Sequence, residues 1–452
     1  MERGRRRSAH PQNLRGERDQ SLRARPRPGL PRGGRCRVIR EAFAARLTEL
    51  TLARVPAAVL DRQALHRAPE LSGLERATAA WIAERMPVPM EVVAGTGRIG
   101  RIGPRSGPAI ALRAELDALP VVEATGVPFA SKNGAMHACG HDVHQAALIA
   151  VSRAVADLAA ESDLPYAFVP LLQPREEAYP SGALDIVRSG VLAQQEVAAV
   201  VAAHVHPRLP VGCVATGKGP TNAAADEITV TVRGRGGHGA YPHEATNPIP
   251  VLSQMVVGLN EVLRRTVSPM RPTLFTVGRI SAGEIANVIP ESGSFAGTLR
   301  TMDRDDRVEV HAAIRNYIEG QALAHGVTAE VAITGGEPVL ENDADLVDLV
   351  DARLQSAGLE IGEPMRSCGA DDFSFFSEEL PGLMAFVGVE TSGADPQPGL
   401  HHASFLPDEG SVRRLALVLV SGYLGACDLL DARTGTGGDE AGSIRSEERV
   451  DA

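Results

Sequence analysis

Between residues 227 and 333 the apolar pattern reads strand, helix, strand, strand, helix, strand, and this block interrupts a longer alternation of strands with helices. Residues 227–233 alternate apolar and polar side chains (Ile228, Val230, Val232), as a strand with one wet face does. Residues 249–263 put Ile249, Leu252, Val256, Leu259 and Leu263 on one helical face. Residues 274–280 and 293–301 read as strands, 308–324 as a helix and 327–333 as the last strand. That order is ferredoxin-like and closes a compact domain of its own. On either side, apolar runs at 109–113, 166–172, 197–203 and 384–389 read as buried strands. Residues 42–55, 71–86, 146–160 and 409–427 read as helices. Strands alternating with helices predict an α/β layer with a mostly parallel central sheet.

An α+β domain is therefore expected as an insertion in an α/β domain, and 452 residues leave room for both. The expected division is a disordered Arg-rich tail over 1–37, the α/β domain over 38–221 and 336–430, the insertion over 222–335, and a disordered Gly-rich tail over 431–452.

Charge and cysteine usage narrow the function classes. Net charge is −10, yet residues 1–40 carry +10, which leaves −20 on the body. An acidic body argues against nucleic acid as a partner. Five scattered cysteines make no disulfide framework and point to a reducing compartment, so the expected location is cytoplasmic. No run of ~18 apolar residues marks a membrane span. Arg5-Arg6-Arg7 lacks the apolar segment that follows in an export signal.

The densest group of chemistry-bearing residues is His137-Ala138-Cys139-Gly140-His141-Asp142-Val143-His144. It follows the Asn133-Gly134 turn and precedes a helix that Asp142 is placed to cap. Thiolate and imidazole together suit borderline-soft divalent ions: Zn, Mn, Ni or Co. Gln173-Pro174-Arg175-Glu176-Glu177 follows a buried strand, so both carboxylates lie at the carboxyl end of the sheet, where open α/β sheets bind ligands. Adjacent glutamates share a cleft comfortably when cations pair with them. One then ligates metal and the other shuttles protons. His204-Val205-His206-Pro207 also ends a strand. Leu400-His401-His402-Ala403-Ser404-Phe405 is the fourth element, and only the shared position joins these histidines to the site.

With residues 113–120, Gly234-Arg235-Gly236-Gly237-His238, Ala286-Asn287-Val288-Ile289-Pro290 and residues 297–301, these motifs resemble the M20 metallopeptidase clan. They are similar in particular to its hippurate hydrolase, N-acyl-amino-acid amidohydrolase and auxin-conjugate hydrolase branch. The motifs run in family order over roughly residues 40–430. The resemblance implies a metallopeptidase-type catalytic domain with an inserted ferredoxin-like lid, and a homodimer or homotetramer formed through that lid. It implies two divalent metal ions held by Cys139, His141, Glu177, His204 and His401. Glu176 would be the general base, and Asp117 would support the metal site from behind. His238, Asn287 and Arg300 would bind the substrate carboxylate or polarise the scissile carbonyl, the histidine across a dimer interface. The implied reaction is hydrolysis of the amide of a small N-acyl amino acid of hippurate type.

Two positions depart from the pattern. Glu115 stands where an Asp is commoner, and Arg175 precedes the glutamate pair where a small residue is usual. His401 and His402 compete for one ligand position, and counting back from Phe405 favours His401. Rival readings are a dipeptidase or carboxypeptidase of the same fold, a cysteine hydrolase using Cys139 with His141 or His144, and a non-catalytic binding protein.

Overall fold

The computed structural model describes residues 34–436, with side chains described over 40–434. Most of both expected tails lies outside the described residues. Helix α1 (Gly34–Arg67) begins before the expected domain start, and the last helix extends to Thr436, so residues 34–37 and 431–436 are helical.

Helix α1 also runs through Pro56, where the sequence predicts a break. Its packing on two core helices outweighs the ~3 kcal/mol that an interior proline costs. There follow α2 (Arg76–Ala83), β1 (Glu91–Val93), β2 (Gly97–Ile99), β3 (Ala109–Glu115), α3 (His141–Glu161) and β4 (Ala167–Gln173). Then come α4 (Gly182–Arg188), α5 (Val191–Gln194), β5 (Val197–His206), β6 (Cys213–Ala215) and β7 (Gly219–Asn222). Every residue of β3 and β4 is buried, which is why both read as unbroken apolar runs. Their side chains alternate between two layers. Ile110, Leu112 and Phe168 pack with α1 and α3, whereas Ala111, Val169 and Leu171 pack with Ile186, Leu192 and Phe373.

The inserted unit comprises β8 (Ala224–Arg233), β9 (Gly237–His238), α6 (Pro248–Thr266), β10 (Thr273–Ala282), β11 (Val288–Ile289), β12 (Ser292–Thr301), α7 (Arg304–His325) and β13 (Thr328–Gly335). Its antiparallel sheet has the order β10-β12-β8-β13, the ferredoxin-like topology. Helices α6 and α7 cover one face through Val230, Phe295 and Leu299. The other face stays half exposed, as the period-2 pattern of β8 anticipates. Asn247 caps α6 ahead of a proline at its first position, and Asp303 caps α7 through the amides of Asp305 and Asp306.

The chain then returns to the first domain through β14 (Leu340–Asn342), α8 (Ala344–Ser356), β15 (Glu360–Ile361), α9 (Ser374–Glu379), β16 (Gly382–Gly388) and α10 (Gly410–Thr436). The central sheet has the order β1-β2-β4-β3-β5-β16-β6-β15. Strands β4, β3, β5 and β16 are mutually parallel, with antiparallel pairings only toward the margins. Helices α3 and α10 are long and apolar enough to cross a membrane, but 72% and 83% of their apolar windows are buried inside the protein. They are core helices.

Candidate metal centre

Because β3, β4, β5 and β16 run parallel, their carboxyl ends meet at one edge. Asp117 lies just beyond β3, the glutamate pair just beyond β4, and His204 near the end of β5. Cys139 and His141 join them at the start of α3. Gly140 makes that approach possible. It has φ +86°, and a Cβ there would lie 2.3 Å from Val205 Cγ2.

Two imidazoles have their outer nitrogens tied to the backbone. His141 Nδ1 lies 2.8 Å from the Asp117 carbonyl, and His204 Nδ1 lies 2.7 Å from the Val205 carbonyl. A ring that donates from Nδ1 keeps a lone pair on Nε2. Those Nε2 atoms meet the other candidate ligands. His204 Nε2 is 3.4 Å from Cys139 Sγ. Ligand atoms of Cys139, His141 and Glu177 lie within 4.8 Å of one another. His401, in a left-handed backbone (φ +65°), brings Nε2 to 3.2 Å from Glu177 Oε1. His402 instead accepts a hydrogen bond from the Ser404 amide. Asp117 Oδ2 accepts from the Glu177 amide at 2.9 Å and from Ser72 Oγ at 2.7 Å. His141 Nε2 and Asp117 Oδ1 are buried without a hydrogen bond. Converging buried lone pairs without donors fit a divalent cation.

The protonation states agree. Burial, then Glu177, Asp371 and Asp372, push the Glu176 carboxyl well above its usual range. Burial and the neighbouring glutamates raise the Cys139 thiol, while burial and His144 push His204 well down. Burial opposes ionisation of Glu177, yet the His401 hydrogen bond and nearby His141 hold it below the ordinary value. A cation at this edge favours the thiolate and both carboxylates and so relieves the conflict.

Several residues of the sequence cluster do other work. His144 is close enough to join a ligand group with Glu115, His141 and His204. Its Nδ1, however, lies 2.7 Å from Glu115 Oε2, and its Nε2 accepts from the Val205 amide at 3.1 Å. Both nitrogens are used, so it is a satisfied core histidine. Glu115 reaches His144 on one side and Arg113 on the other, which suits the longer side chain at this position. Asp142 does not cap α3, because Gly140 is the cap residue. Asp142 instead pairs with Arg62 Nε at 2.9 Å and His66 Nδ1 at 3.1 Å. His137 is buried beside this group, and burial pushes it down to about 3. Arg175 pairs with Asp185.

The three residues expected on the insertion do not share one edge. His238 and Asn287 stand together, since β9 pairs with β11 and the Gly239 amide donates to the Asn287 carbonyl at 2.8 Å. Both are exposed. Arg300 lies eight residues along β12 from Ser292, roughly 25 Å at strand rise, opposite Ala225 at the hinge, the junction where the inserted unit leaves and rejoins the α/β domain. Ala225 exchanges backbone hydrogen bonds with Gly336 and Glu337, and the Tyr179 hydroxyl binds Glu337. Tyr179 is two residues from Glu177, so the hinge end adjoins the glutamate turn. Arg300 makes no ion pair among the described residues; Asp303 pairs with Arg271 instead.

Sequence reasoning missed Asp371 and Asp372, whose carboxylates lie within 4.8 Å of Glu176. They follow a stretch with little apolar period, and the only available signal was an acidic pair directly before Phe373.

This fold and site define a metal-binding hydrolase with an inserted second domain. A family model described as Peptidase family M20/M25/M40 matches residues 111–420, and the chain belongs to that family. It is similar to N-acetyl-L-cysteine deacetylase of Bacillus subtilis (strain 168), with 36% identity over 381 residues, covering 82% of this chain and 88% of that one. N-acetyldiaminopimelate deacetylase of Halalkalibacterium halodurans is 32% identical over 377 residues, covering 82% and 99%. The structure of a dinuclear metal binding M20 peptidase from Bacillus subtilis superposes with a TM-score of 0.71 at 29% identity, covering 86% of this chain and 99% of that one. The chain is thus an amidohydrolase acting on linear amides.

Proposed function

We propose that this enzyme removes the acyl group from small N-acyl amino acids, releasing a carboxylic acid and an amino acid. The carrying observation is the convergence of Cys139, His141, Glu177, His204 and His401 on one sheet edge with Glu176 beside them. The deacetylases among its relatives favour short acyl groups over the hippurate type.

Two divalent ions of Zn, Mn, Ni or Co would be held by those five residues and would supply Lewis acidity to the amide carbonyl and the attacking water. Glu176, whose carboxylate faces the His141 ring, takes the proton from that water and passes it to the leaving nitrogen. Asp117 fixes the Glu177 backbone and faces His141 from behind. Arg300, near the hinge and without an ion-pair partner among the described residues, binds the free α-carboxylate through its bidentate fork. His238 and Asn287 lie too far from their own hinge to reach the same substrate. They serve the site of a second copy, in a homodimer or homotetramer formed through the 222–335 lid, in a cytoplasmic enzyme.

The cysteine-hydrolase reading is disfavoured by electrostatics. A nucleophilic cysteine needs a lowered pKa, and Cys139 is buried among carboxylates that raise it. The test is a screen of N-acyl amino acids and dipeptides with purified protein reconstituted with each metal. Faster turnover of acyl amino acids supports the deacylase reading. Faster turnover of dipeptides replaces it with a peptidase.

A further inference from the structure

Residues 174–181 join β4 to α4 and carry both glutamates. The turn is held in a demanding shape. Arg175 is left-handed at φ +50°, a conformation that a non-glycine residue keeps only when its surroundings over-determine it. Gly182 closes the turn so tightly that a Cβ would lie 1.7 Å from the Pro174 carbonyl oxygen. Carboxylates from elsewhere fix it. Glu75 Oε1 accepts from the Arg175 amide at 3.0 Å, and Asp117 Oδ2 from the Glu177 amide at 2.9 Å.

The third carboxylate, Asp372, grips both roots. Gln173 Nε2 at the entry donates to Asp372, 2.7 Å from each oxygen, and Ser181 Oγ at the exit donates to Oδ2 at 2.7 Å. Arg113 completes the frame. Its Nη2 donates to Asp372 Oδ1 at 2.9 Å and its Nε to Gln173 Oε1 at 2.7 Å. Gln173, Arg113 and Asp372 are each at most 1% exposed. A plain counter-ion for Arg113 is not required here, since Glu115 and Asp371 already face that guanidinium.

We propose that Asp372 is a positioning residue, whose carboxylate ties the two ends of this turn together and sets where Glu176 and Glu177 stand. The proposal rests on the roles given to those glutamates above. Asp372→Asn puts a donor against the Gln173 donor. Hydrogen exchange of the peptide over 174–181 reads the turn without substrate. It is expected to rise about tenfold there, with α3 and β4 unchanged. The kcat should fall about 10- to 100-fold, with KM nearly constant. The pair Gln173→Glu/Asp372→Asn restores donor–acceptor matching and total charge, and should recover both the protection and most of kcat. Ser181→Ala, which leaves the buried charges in place, should speed exchange at the exit of the turn even where Asp372→Asn does not fold. Unchanged exchange over 174–181 in Asp372→Asn, or in Ser181→Ala where Asp372→Asn does not fold, overturns the proposal. So does faster exchange throughout the α/β domain, or no recovery in the pair variant. Exchange needs no turnover, so a failed acyl-amino-acid screen leaves this test standing.

Discussion

The sheet edge and the tip of the inserted unit both carry histidines, in opposite states. At the edge, His141, His144 and His204 are buried, and each Nδ1 is committed to a carbonyl or carboxylate within 3 Å. At the tip, His238 is exposed, and among the described residues its one side-chain hydrogen bond is local, accepted from the Ala240 amide. The candidate ligands at the edge all come from one chain, several of them delivered together by the parallel strands. The tip presents His238 and Asn287 on a two-stranded ladder far from the hinge, and the inserted unit's own core gives them nothing to act on. Burial therefore marks groups whose geometry the fold itself sets. Exposure at the tip leaves His238 and Asn287 open to solvent in this chain.

The largest effect tests the edge. Cys139→Ala should lower metal content and abolish turnover, because the thiolate stands among the candidate ligands. Full occupancy of two ions by elemental analysis would remove Cys139 from the ligand set. The glutamates should then divide. Glu177→Ala is expected to lose metal together with activity, whereas Glu176→Gln keeps metal and loses ~10²–10⁴-fold in kcat. An empty site in Glu176→Gln, or activity within a few-fold of wild type, breaks that division.

The tip is tested by complementation. His238→Ala should cut kcat/KM by about 100-fold while metal content and Tm stay put. Mixing it with Glu176→Gln should restore activity, since a hybrid dimer holds one complete site. Failure to recover on mixing would return His238 to its own chain. Arg300→Ala should cost about tenfold or more on acyl amino acids and much less on the corresponding neutral amides. Equal losses would take it out of carboxylate recognition.

The smallest effect is on stability. His66 is buried between Asp142 and Glu123; against the cost of burial, these acids raise it from 6.5 to about 9. A raised folded value means that its contribution is complete below pH 6.5 and is lost as pH rises through about 9. The Tm should fall over that window, corresponding to roughly 1–3 kcal/mol, and His66→Gln should flatten the decline. A wild-type Tm that is level from pH 6.5 to 9 would show that His66 is neutral in the folded protein.

How much of this was legible beforehand follows from how far each signal reaches along the chain. Strands β3, β4 and β5 were readable because burial on both faces leaves an unbroken apolar run, and the inserted unit because β8 alternates. Short strands such as β1, β2, β6 and β15 have two or three residues, too few for any period to show. The capping role expected of Asp142 failed because a tertiary ion pair with Arg62 and His66 outcompeted a local amide.

The amino-acid sequence by itself determined the class of elements and the inserted ferredoxin-like order, because these depend on side-chain type and short-range spacing; the five expected ligands came from the family resemblance of its motifs. Only the tertiary structure decided that His144 is a core histidine, that His401 rather than His402 meets Glu177, and that Arg300 stands apart from His238 and Asn287. It alone brought Asp372 to the glutamate turn, 199 residues away from Gln173. Contacts of that span are chosen by how the sheet stacks its strand ends and by which buried donors still lack an acceptor. Neither is written in the neighbourhood of any one residue.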